Sequence, residues 1–203
     1  FTFEYGMLLR CACATSCREL VLRKQFSMRC STLSIQRRPA RPVASLTLSS
    51  RLNEGLQFDL LFMGDGMVCH LIDLCIRWAQ AKFIPNRETH TVVERIDHIW
   101  IRQSRPPKFI TSEQEGVLYS DEGSIWASRW GIEPRSKARG SRAHVIERCS
   151  ELLRQQYHKI RSQCQKDGVN VSPTQMLDEA ILACNCLLSV HGASPCEASF
   201  GRV

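Results

Sequence analysis

Three short apolar segments follow one another between residues 57 and 84, and they constrain the fold more than any other feature. Their sequences are QFDLLFM (57–63), MVCHLID (67–73) and RWAQAKFI (77–84). Short apolar or alternating segments of this kind are typical of β-strands. The first two are separated by Gly64-Asp65-Gly66, and an Asp-Gly pair between apolar segments indicates a hairpin. The sequence therefore predicts three consecutive antiparallel strands.

The period of the apolar residues changes after the third segment. Apolar side chains recur every three to four residues over 87–103, which predicts an amphipathic helix; they are Val92, Val93, Ile96, Ile99 and Trp100. Pro106 and Pro107 end this helix, and 108–111 (KFIT) predicts a fourth, buried strand.

The rest of the chain alternates in the same way. A second helix is predicted over 120–130 with Gly131 as its cap, and a short fifth strand begins at Ile132. A long helix is predicted over 142–166, and a last one begins at Ser172 and ends near residue 190. This order predicts an α/β fold with a mixed five-stranded sheet flanked by helices.

Charge divides the chain unevenly. Residues 1–56 contain nine Lys or Arg and three Asp or Glu, whereas residues 57–203 contain 18 and 17, and the whole chain carries +7. Residues 36–50 (QRRPARPVASLTLSS) have the composition of an extended linker. We therefore predict a short N-terminal appendage (1–35), a basic linker (36–52) and a core (53–203). The basic arm either contacts an anionic partner such as nucleic acid or is a solvated linker.

Cysteine usage and hydropathy indicate the surroundings of the chain. Eleven cysteines among 203 residues are too sparse for a secreted disulfide scaffold, and their number is odd. No stretch approaches the roughly 18 apolar residues that a membrane span needs, and the N-terminal residues do not have the pattern of a signal peptide. We expect an intracellular protein that is neither secreted nor membrane-bound. Because the chain begins with Phe1, we expect it to be part of a longer product.

Three acidic residues stand out by their positions. Asp59 lies inside the first predicted strand, where a carboxylate is costly unless it is paired or binds a metal. Glu113 directly follows the fourth strand, with Glu115 close behind, and Glu147 lies on the polar face of the long helix. Glu113 and Glu147 taken singly are ordinary loop and surface acids. Together the three are the oxygen ligands that two-metal phosphoryl chemistry requires.

The segments that carry these acids resemble the integrase core of long-terminal-repeat retrotransposons and retroviruses. The resemblance covers about residues 53–203, and its motifs are FDLLF, HLIDLCIRWAQAKFI, WIRQSRPPKFITSEQEG, GIEPRSKARGSRAHVIERCSELLRQQYHKI and HGASPCEASFGR. It implies a ribonuclease-H-like fold and an Asp, Asp, Glu triad that holds two Mg²⁺ or Mn²⁺ ions. It also implies trimming of the element's DNA ends and transfer of the new 3′ hydroxyls to target DNA.

The resemblance assigns residues to catalysis and metal binding. Asp59 matches the first Asp, Glu113 occupies the place of the second, and Glu147 matches the Glu, at intervals of 113 − 59 = 54 and 147 − 113 = 34 residues. Glu113 is one methylene longer than the Asp of the family. Since a displacement of about 1 Å can cost on the order of 10²-fold in rate, the activity of this copy is in question.

The resemblance also implies contacts with DNA and an upstream zinc module. Positive side chains for DNA are predicted in the loop before the long helix and on the helix itself: Lys137, Arg139, Arg148, Arg154 and Lys159. Cys30 stands where a Cys-x-x-Cys pair is expected, but Leu33 has replaced its second Cys and no His precedes His70. Zinc binding is therefore not expected, and Cys30 is at most a remnant.

Three interpretations of function remain open at the level of sequence. The first is a retroelement integrase core that forms homo-oligomers and acts on element ends and target DNA, in the nucleus or a virus-like particle. The second is a catalytically inactive nucleic-acid-binding module that retains the fold, which the substituted acid and the broken zinc pair favour. The third is a nuclease of the same fold, with the same acids but without strand transfer.

Overall fold

A computed structural model of the chain describes residues 49–112, 116–136, 144–189 and 192–201. For residue 144 it describes the helical backbone alone. The predicted appendage (1–35), with Cys30, and most of the predicted linker (36–52) lie outside these residues. The strands are β1 (Gly55–Phe62), β2 (Met67–Asp73), β3 (Ala79–Ile84), β4 (Phe109–Ser112) and β5 (Glu133–Ser136). They form one sheet in the order β3-β2-β1-β4-β5.

The direction of the strands follows from their connections. β1, β2 and β3 are antiparallel neighbours, because hairpin-type turns join them. β4 lies parallel to β1, and β5 lies parallel to β4. Each of these two strands is reached through a helical crossover. The predicted mixed five-stranded sheet is therefore confirmed, and β1 is its central strand.

Helices cover both faces of the sheet. Helix α1 (Thr89–Ile96) continues through a π-helical segment (Asp97–Ile101) and a short α-helical end (Arg102–Ser104). A 3₁₀ turn (Gly116–Tyr119) precedes α2 (Asp121–Trp130), which ends at Gly131 in the left-handed conformation, as predicted. The remaining helices are α3 (His144–Lys166), α4 (Pro173–Leu187) and α5 (Pro195–Phe200).

The pleat of the sheet sorts its side chains into two hydrophobic cores. Leu56 and Phe58 of β1 point to one face, where they pack with Val92, Trp100 and Trp126 from helices α1 and α2. The opposite face of the sheet packs against α3 and α4, and that core includes Leu61, Val68, Ile146, Tyr157 and Leu177. The result is a three-layer arrangement of helices, sheet and helices.

The C-terminal end differs from the prediction. The helix that begins at Pro173 ends at Leu187 rather than near residue 190, and a separate short helix, α5, follows it. Ser194 and Glu197 form a capping box, in which the Ser194 side chain accepts from the Glu197 N–H at 3.1 Å and Glu197 Oε2 accepts from the Ser194 N–H at 2.6 Å. The prediction missed α5 because six residues are too few to establish a helical period.

Candidate active site

Helix α3 is attached to the central strand by two side chains of β1. Gln57 Oε1 accepts a hydrogen bond from the backbone N–H of Ile146 at 3.0 Å, and Asp59 Oδ2 accepts one from the Ser150 hydroxyl at 3.3 Å. The spacings match, since four residues of helix advance about 6 Å and two residues of strand about 6.6 Å. The two contacts therefore set the register of the helix along the strand.

Asp59 is half-buried in the middle of β1. It lies on the same face as Gln57 and Leu61, because alternate residues of a strand point to the same side of the sheet. That face is the one covered by α3. The prediction that this carboxylate needs a partner is confirmed by its hydrogen bond with Ser150.

Glu147 is an exposed residue in the first turn of α3, between the two positions at which the helix is attached to β1. It precedes Ser150 by three residues, a spacing that brings helical side chains to about 5–6 Å between their Cβ atoms. Since Ser150 contacts Asp59, the fold brings the Asp59 and Glu147 side chains to the same end of α3.

The predicted third acid belongs to the neighbouring strand. β4 runs parallel to β1 and ends at Ser112, which is paired with Phe58 in the sheet register, one residue before Asp59. Glu113 and Glu115 follow in the sequence and lie outside the described residues. The described part of this strand is thus next to the position of Asp59, and the placement of Glu113 as a site residue stays a prediction.

His70 lies behind this site on β2. It is paired with Asp59 in the antiparallel register, and its side chain is 0% exposed. Its Nδ1 is 3.1 Å from Ser150 Oγ. Burial lowers the pKa of His70 to about 3, and the nearby charge of Arg154 contributes in the same direction. The imidazole is therefore neutral over the physiological range.

The predicted basic residues of α3 lie on its solvent side. Arg148 and Lys159 are exposed, and Arg154 is half-exposed with a guanidinium nitrogen 3.8 Å from Glu151 Oε2. Arg148 directly follows Glu147, and Arg154 comes one helical turn after Ser150. Lys137 and Arg139, predicted in the preceding loop, lie outside the residues that the structure describes.

The chemistry of the described acids suits a hard divalent cation, because carboxylate oxygens are its preferred ligands. Within 49–112, 116–136, 144–189 and 192–201, however, no group of three His, Cys, Asp or Glu side chains is close enough to hold a metal ion. The assignment of Asp59 and Glu147 as metal ligands therefore stays a prediction, and a site built on them would need at least one further donor.

Sequence reasoning missed three residues that build the site: Gln57, His70 and Ser150. Each left a weak signal. Gln57 lies two residues before Asp59, on the same strand face, His70 is a titratable residue inside an apolar strand, and Ser150 follows Glu147 by three residues. None of these patterns specifies a partner that is 80 or more residues away in the chain.

Solved structures with the same arrangement were found by comparison of folds. The catalytic core domain of BIV integrase superposes with a TM-score of 0.59 and 15% identity, over 72% of this chain and 93% of that one. This is the fold of a retroviral integrase catalytic core. The HTLV-2 integrase catalytic core domain in complex with magnesium, in a trimeric form, gives 0.60 and 13% over 71% and 95%.

The integrase-core fold also matches a chain of the simian T-cell lymphotropic virus intasome in complex with PP2A regulatory subunit B56 gamma. That match has a TM-score of 0.67 and 16% identity, over 77% of this chain and 57% of that one. No protein-family model matches the chain, and neither does any curated protein. The predicted ribonuclease-H-like integrase-core fold is thus confirmed by structure, at identities at which sequence comparison finds no match.

The described helices of this integrase-core fold were also tested against the length and hydropathy of a membrane span. None of them is both long enough and apolar enough to cross a bilayer.

Proposed function

We propose that this chain is a DNA-binding polynucleotidyl transferase of the integrase type, which processes 3′ DNA ends and joins them to target DNA. The observation that carries the proposal is the attachment of α3 to β1. The Ser150–Asp59 hydrogen bond joins the strand that carries the predicted first acid to the N-terminal part of the helix that carries the predicted third, on an integrase-core fold. The neighbouring strand β4 ends directly before the predicted second acid, Glu113.

Asp59, Glu113 and Glu147 are the residues that would hold Mg²⁺ or Mn²⁺. When bound, such ions stabilise the charge that develops on the attacking and leaving oxygens of a phosphodiester. The role of the protein is to hold the carboxylates in a fixed arrangement, and in this proposal the two contacts between α3 and β1 fix the helix that carries Glu147 against the strand that carries Asp59. One of the similar structures contains magnesium, which supports this choice of ion.

DNA is the substrate and partner in this proposal. The helix that carries Glu147 also carries Arg148, Arg154 and Lys159, all within four turns of it. DNA phosphates bound by these side chains would therefore place the DNA backbone alongside the proposed acids. Lys137 and Arg139 immediately precede this helix in sequence and belong to the same proposal. Homo-oligomers are proposed as well, by analogy with the trimeric and intasome assemblies of the similar proteins.

The division into an appendage (1–35), a basic linker (36–52) and a core (53–203) remains part of the proposal. So does an intracellular location, in the nucleus or a virus-like particle. The intracellular location is supported by the described cysteines, because free thiols are typical of reducing compartments. These cysteines are Cys69, Cys75, Cys149, Cys164, Cys184, Cys186 and Cys196.

A joining assay on the purified full chain tests the proposal. Labelled duplexes with randomised ends are incubated with supercoiled plasmid and Mg²⁺ or Mn²⁺, and joined products are counted. We expect metal-dependent joining that Asp59→Asn and Glu147→Gln each reduce by about 10²-fold or more. The control Glu179→Gln, an exposed acid of α4, should keep the activity. Joining that survives Asp59→Asn would refute the assignment of the site.

The second candidate function, an inactive DNA-binding module, is favoured by the glutamate at position 113 and by Leu33 in place of the second Cys of the zinc pair. It predicts salt-dependent DNA binding without metal-dependent joining. Metal-dependent joining by the wild type separates the two candidates. Glu113→Asp tests the effect of the longer side chain: we expect this variant to gain activity, and an unchanged activity would contradict the argument that the carboxylate is displaced. Cleavage without joining would indicate the third alternative, a nuclease of the same fold.

A further inference from the structure

Three polar side chains from three different elements form a row behind the proposed metal site. His70 of β2 is next to Ser150 of α3, and Ser150 is next to Asp59 of β1, at 3.1 and 3.3 Å between the polar atoms. His70 and Ser150 are 0% and 1% exposed. The row therefore starts in the protein interior and ends at the half-buried Asp59.

We propose that His70 and Ser150 are positioning residues that hold the Asp59 carboxylate through a relay with one direction. In this relay His70 Nδ1–H donates to Ser150 Oγ, and the Ser150 hydroxyl donates to Asp59 Oδ2. The relay rests on the proposed function only for the role of Asp59 as a metal ligand. Its geometry and its direction are independent of that role.

The direction follows from the number of hydrogens available. A serine hydroxyl has one hydrogen, and a carboxylate can only accept. If Ser150 donates to Asp59, its oxygen is left to accept from His70, which requires the hydrogen of the neutral imidazole on Nδ1. All members of such a chain point the same way, and aligned hydrogen bonds polarise and strengthen one another.

The opposite tautomer is disfavoured because it makes one hydrogen bond fewer in the row. Among the described residues His70 Nε2 is buried and has no hydrogen-bond partner. Either tautomer leaves this nitrogen unsatisfied, so its cost does not distinguish the two forms. With the hydrogen on Nε2, Ser150 would have to donate to Nδ1, and Asp59 would lose its hydrogen bond from the hydroxyl.

The charged form of His70 is disfavoured by the same surroundings. The imidazolium carries hydrogens on both nitrogens, so it too would place an unpartnered N–H in the interior. Arg154 lies near the ring and adds a like charge. His70 is thus a fixed neutral donor.

The relay has a mechanical consequence for the site. The torsion that turns a carboxylate about its Cβ–Cγ bond is broad, so an aspartate needs a fixed donor to hold its oxygens in one orientation. Ser150 supplies one such donor, and His70 prevents the hydroxyl from rotating away. Residues that orient metal ligands in this way typically contribute about 10- to 100-fold to metal affinity.

The tautomer of His70 can be measured directly in the metal-free full chain. The two ring nitrogens give different ¹⁵N chemical shifts in histidine-labelled protein, and the shifts identify the nitrogen that carries the hydrogen. We expect Nδ1 to be protonated and Nε2 to be bare in the wild type. A resonance pattern of the Nε2–H form would overturn the relay.

Mn²⁺ titration followed by electron paramagnetic resonance tests the consequence for Asp59. We expect Ser150→Ala and His70→Leu to weaken Mn²⁺ binding about 10-fold or more. Ser150→Thr, which keeps a hydroxyl, and His70→Asn, which keeps a donor near the place of Nδ1, should restore most of it. The control His98→Asn alters an exposed histidine of the π-helical segment after α1 and should change nothing. All four site variants lose native packing, so a merely structural role predicts weaker Mn²⁺ binding in all of them. Binding that returns in Ser150→Thr and His70→Asn alone therefore indicates positioning.

The failure of the relay and the failure of the proposed function give different results. If Asp59→Asn leaves Mn²⁺ binding unchanged, Asp59 is not a ligand and the proposed function is refuted, while the tautomer still decides the relay. If Asp59→Asn abolishes binding but Ser150→Ala and His70→Leu do not weaken it, the relay is refuted and the proposed function stands.

Discussion

The side-chain oxygen of Gln57 accepts a hydrogen bond from the backbone N–H of Ile146, 89 residues later in the chain. Both groups are buried, and the amide is one of those at the start of α3 that have no partner within the helix. The Gln57 side chain of β1 therefore caps the N-terminus of α3. This contact and the Ser150–Asp59 contact hold the part of α3 that carries Glu147.

Removing the acceptor from Gln57 should loosen the start of α3. Gln57→Met keeps the approximate shape but leaves the Ile146 N–H unsatisfied, and we expect a loss of about 1–3 kcal/mol in the free energy of unfolding. Urea denaturation measures this loss. Gln80→Met, at a half-buried glutamine of β3, is the matched control and should cost less. Equal effects of the two substitutions would contradict the role of Gln57 as a cap.

Asn53 joins the end of α1 to the start of β1. It accepts from Trp100 Nε1 at 2.9 Å and donates to the carbonyls of Ser104 and Arg105. Its φ of 61° lies in the left-handed region, which asparagine tolerates better than most residues.

Two substitutions separate these contributions of Asn53. Asn53→Ala should reduce the free energy of unfolding by about 2–4 kcal/mol through the lost hydrogen bonds. Asn53→Gly should be milder by about 1 kcal/mol, because glycine adopts the left-handed conformation without strain. Thermal and urea unfolding measure both, with Asn170→Ala in the exposed loop after α3 as the control. An alanine variant as stable as the glycine variant would rule out the conformational contribution.

The first residue of β1 is a glycine for a steric reason. A Cβ added to Gly55 would overlap the ring of Phe109, its partner in β4. The Arg135 guanidinium lies 3.8 Å from the centroid of the same ring. We expect Gly55→Ala to cost about 1–3 kcal/mol by displacing the ring. Gly116→Ala is the control, since among the described residues an added Cβ there would meet no atom within 4 Å apart from its chain neighbours. Calorimetric unfolding should show a lower midpoint for the first variant alone.

The depressed pKa of His70 makes stability depend on pH in a defined direction. The ordinary pKa is 6.5 and burial lowers it to about 3, so between these values the unfolded chain binds a proton that the folded chain does not. Stability from this group is complete above pH 6.5 and falls as the pH decreases, with a limiting slope of about 1.4 kcal/mol per pH unit. Urea unfolding of wild type and His70→Asn at several pH values isolates this slope. Parallel curves would mean that His70 is charged in the folded state.

Phosphate contacts along α3 should appear in the salt dependence of DNA binding. Each phosphate contact contributes about 0.9 to the slope of log affinity against log salt on duplex DNA. We expect Arg148→Gln, Arg154→Gln and Lys159→Gln each to reduce the slope by about this amount. Arg102→Gln, at an exposed residue of the short helical end that follows α1 and its π-helical segment, is the control. Fluorescence anisotropy with a labelled duplex measures the slope, and an unchanged slope in all three variants would place the DNA elsewhere.

Most of the fold could be predicted from sequence, because strand and helix periods are local properties. The hairpin turn at Gly64–Gly66, the period of Val92, Ile96 and Ile99, and the capping box at Ser172 each lie within a few residues of what they predict. Helix α5 was not predicted for the same reason, because six residues are too few to establish a helical period. The prediction that Asp59 needs a partner was equally local, because it follows from a charge between apolar neighbours.

What the sequence by itself determined was therefore the order and type of the elements and the acids that they carry. Only the tertiary structure decided which side chains support those acids. Gln57 meets Ile146, and His70 and Asp59 meet at Ser150, across separations of 80 to 91 residues. Such contacts depend on how a helix lies against a sheet, and no local period records that arrangement. The sequence thus identified Asp59 as a candidate site residue. The packing of α3 on β1 placed Ser150 next to Asp59 and the buried His70 next to Ser150.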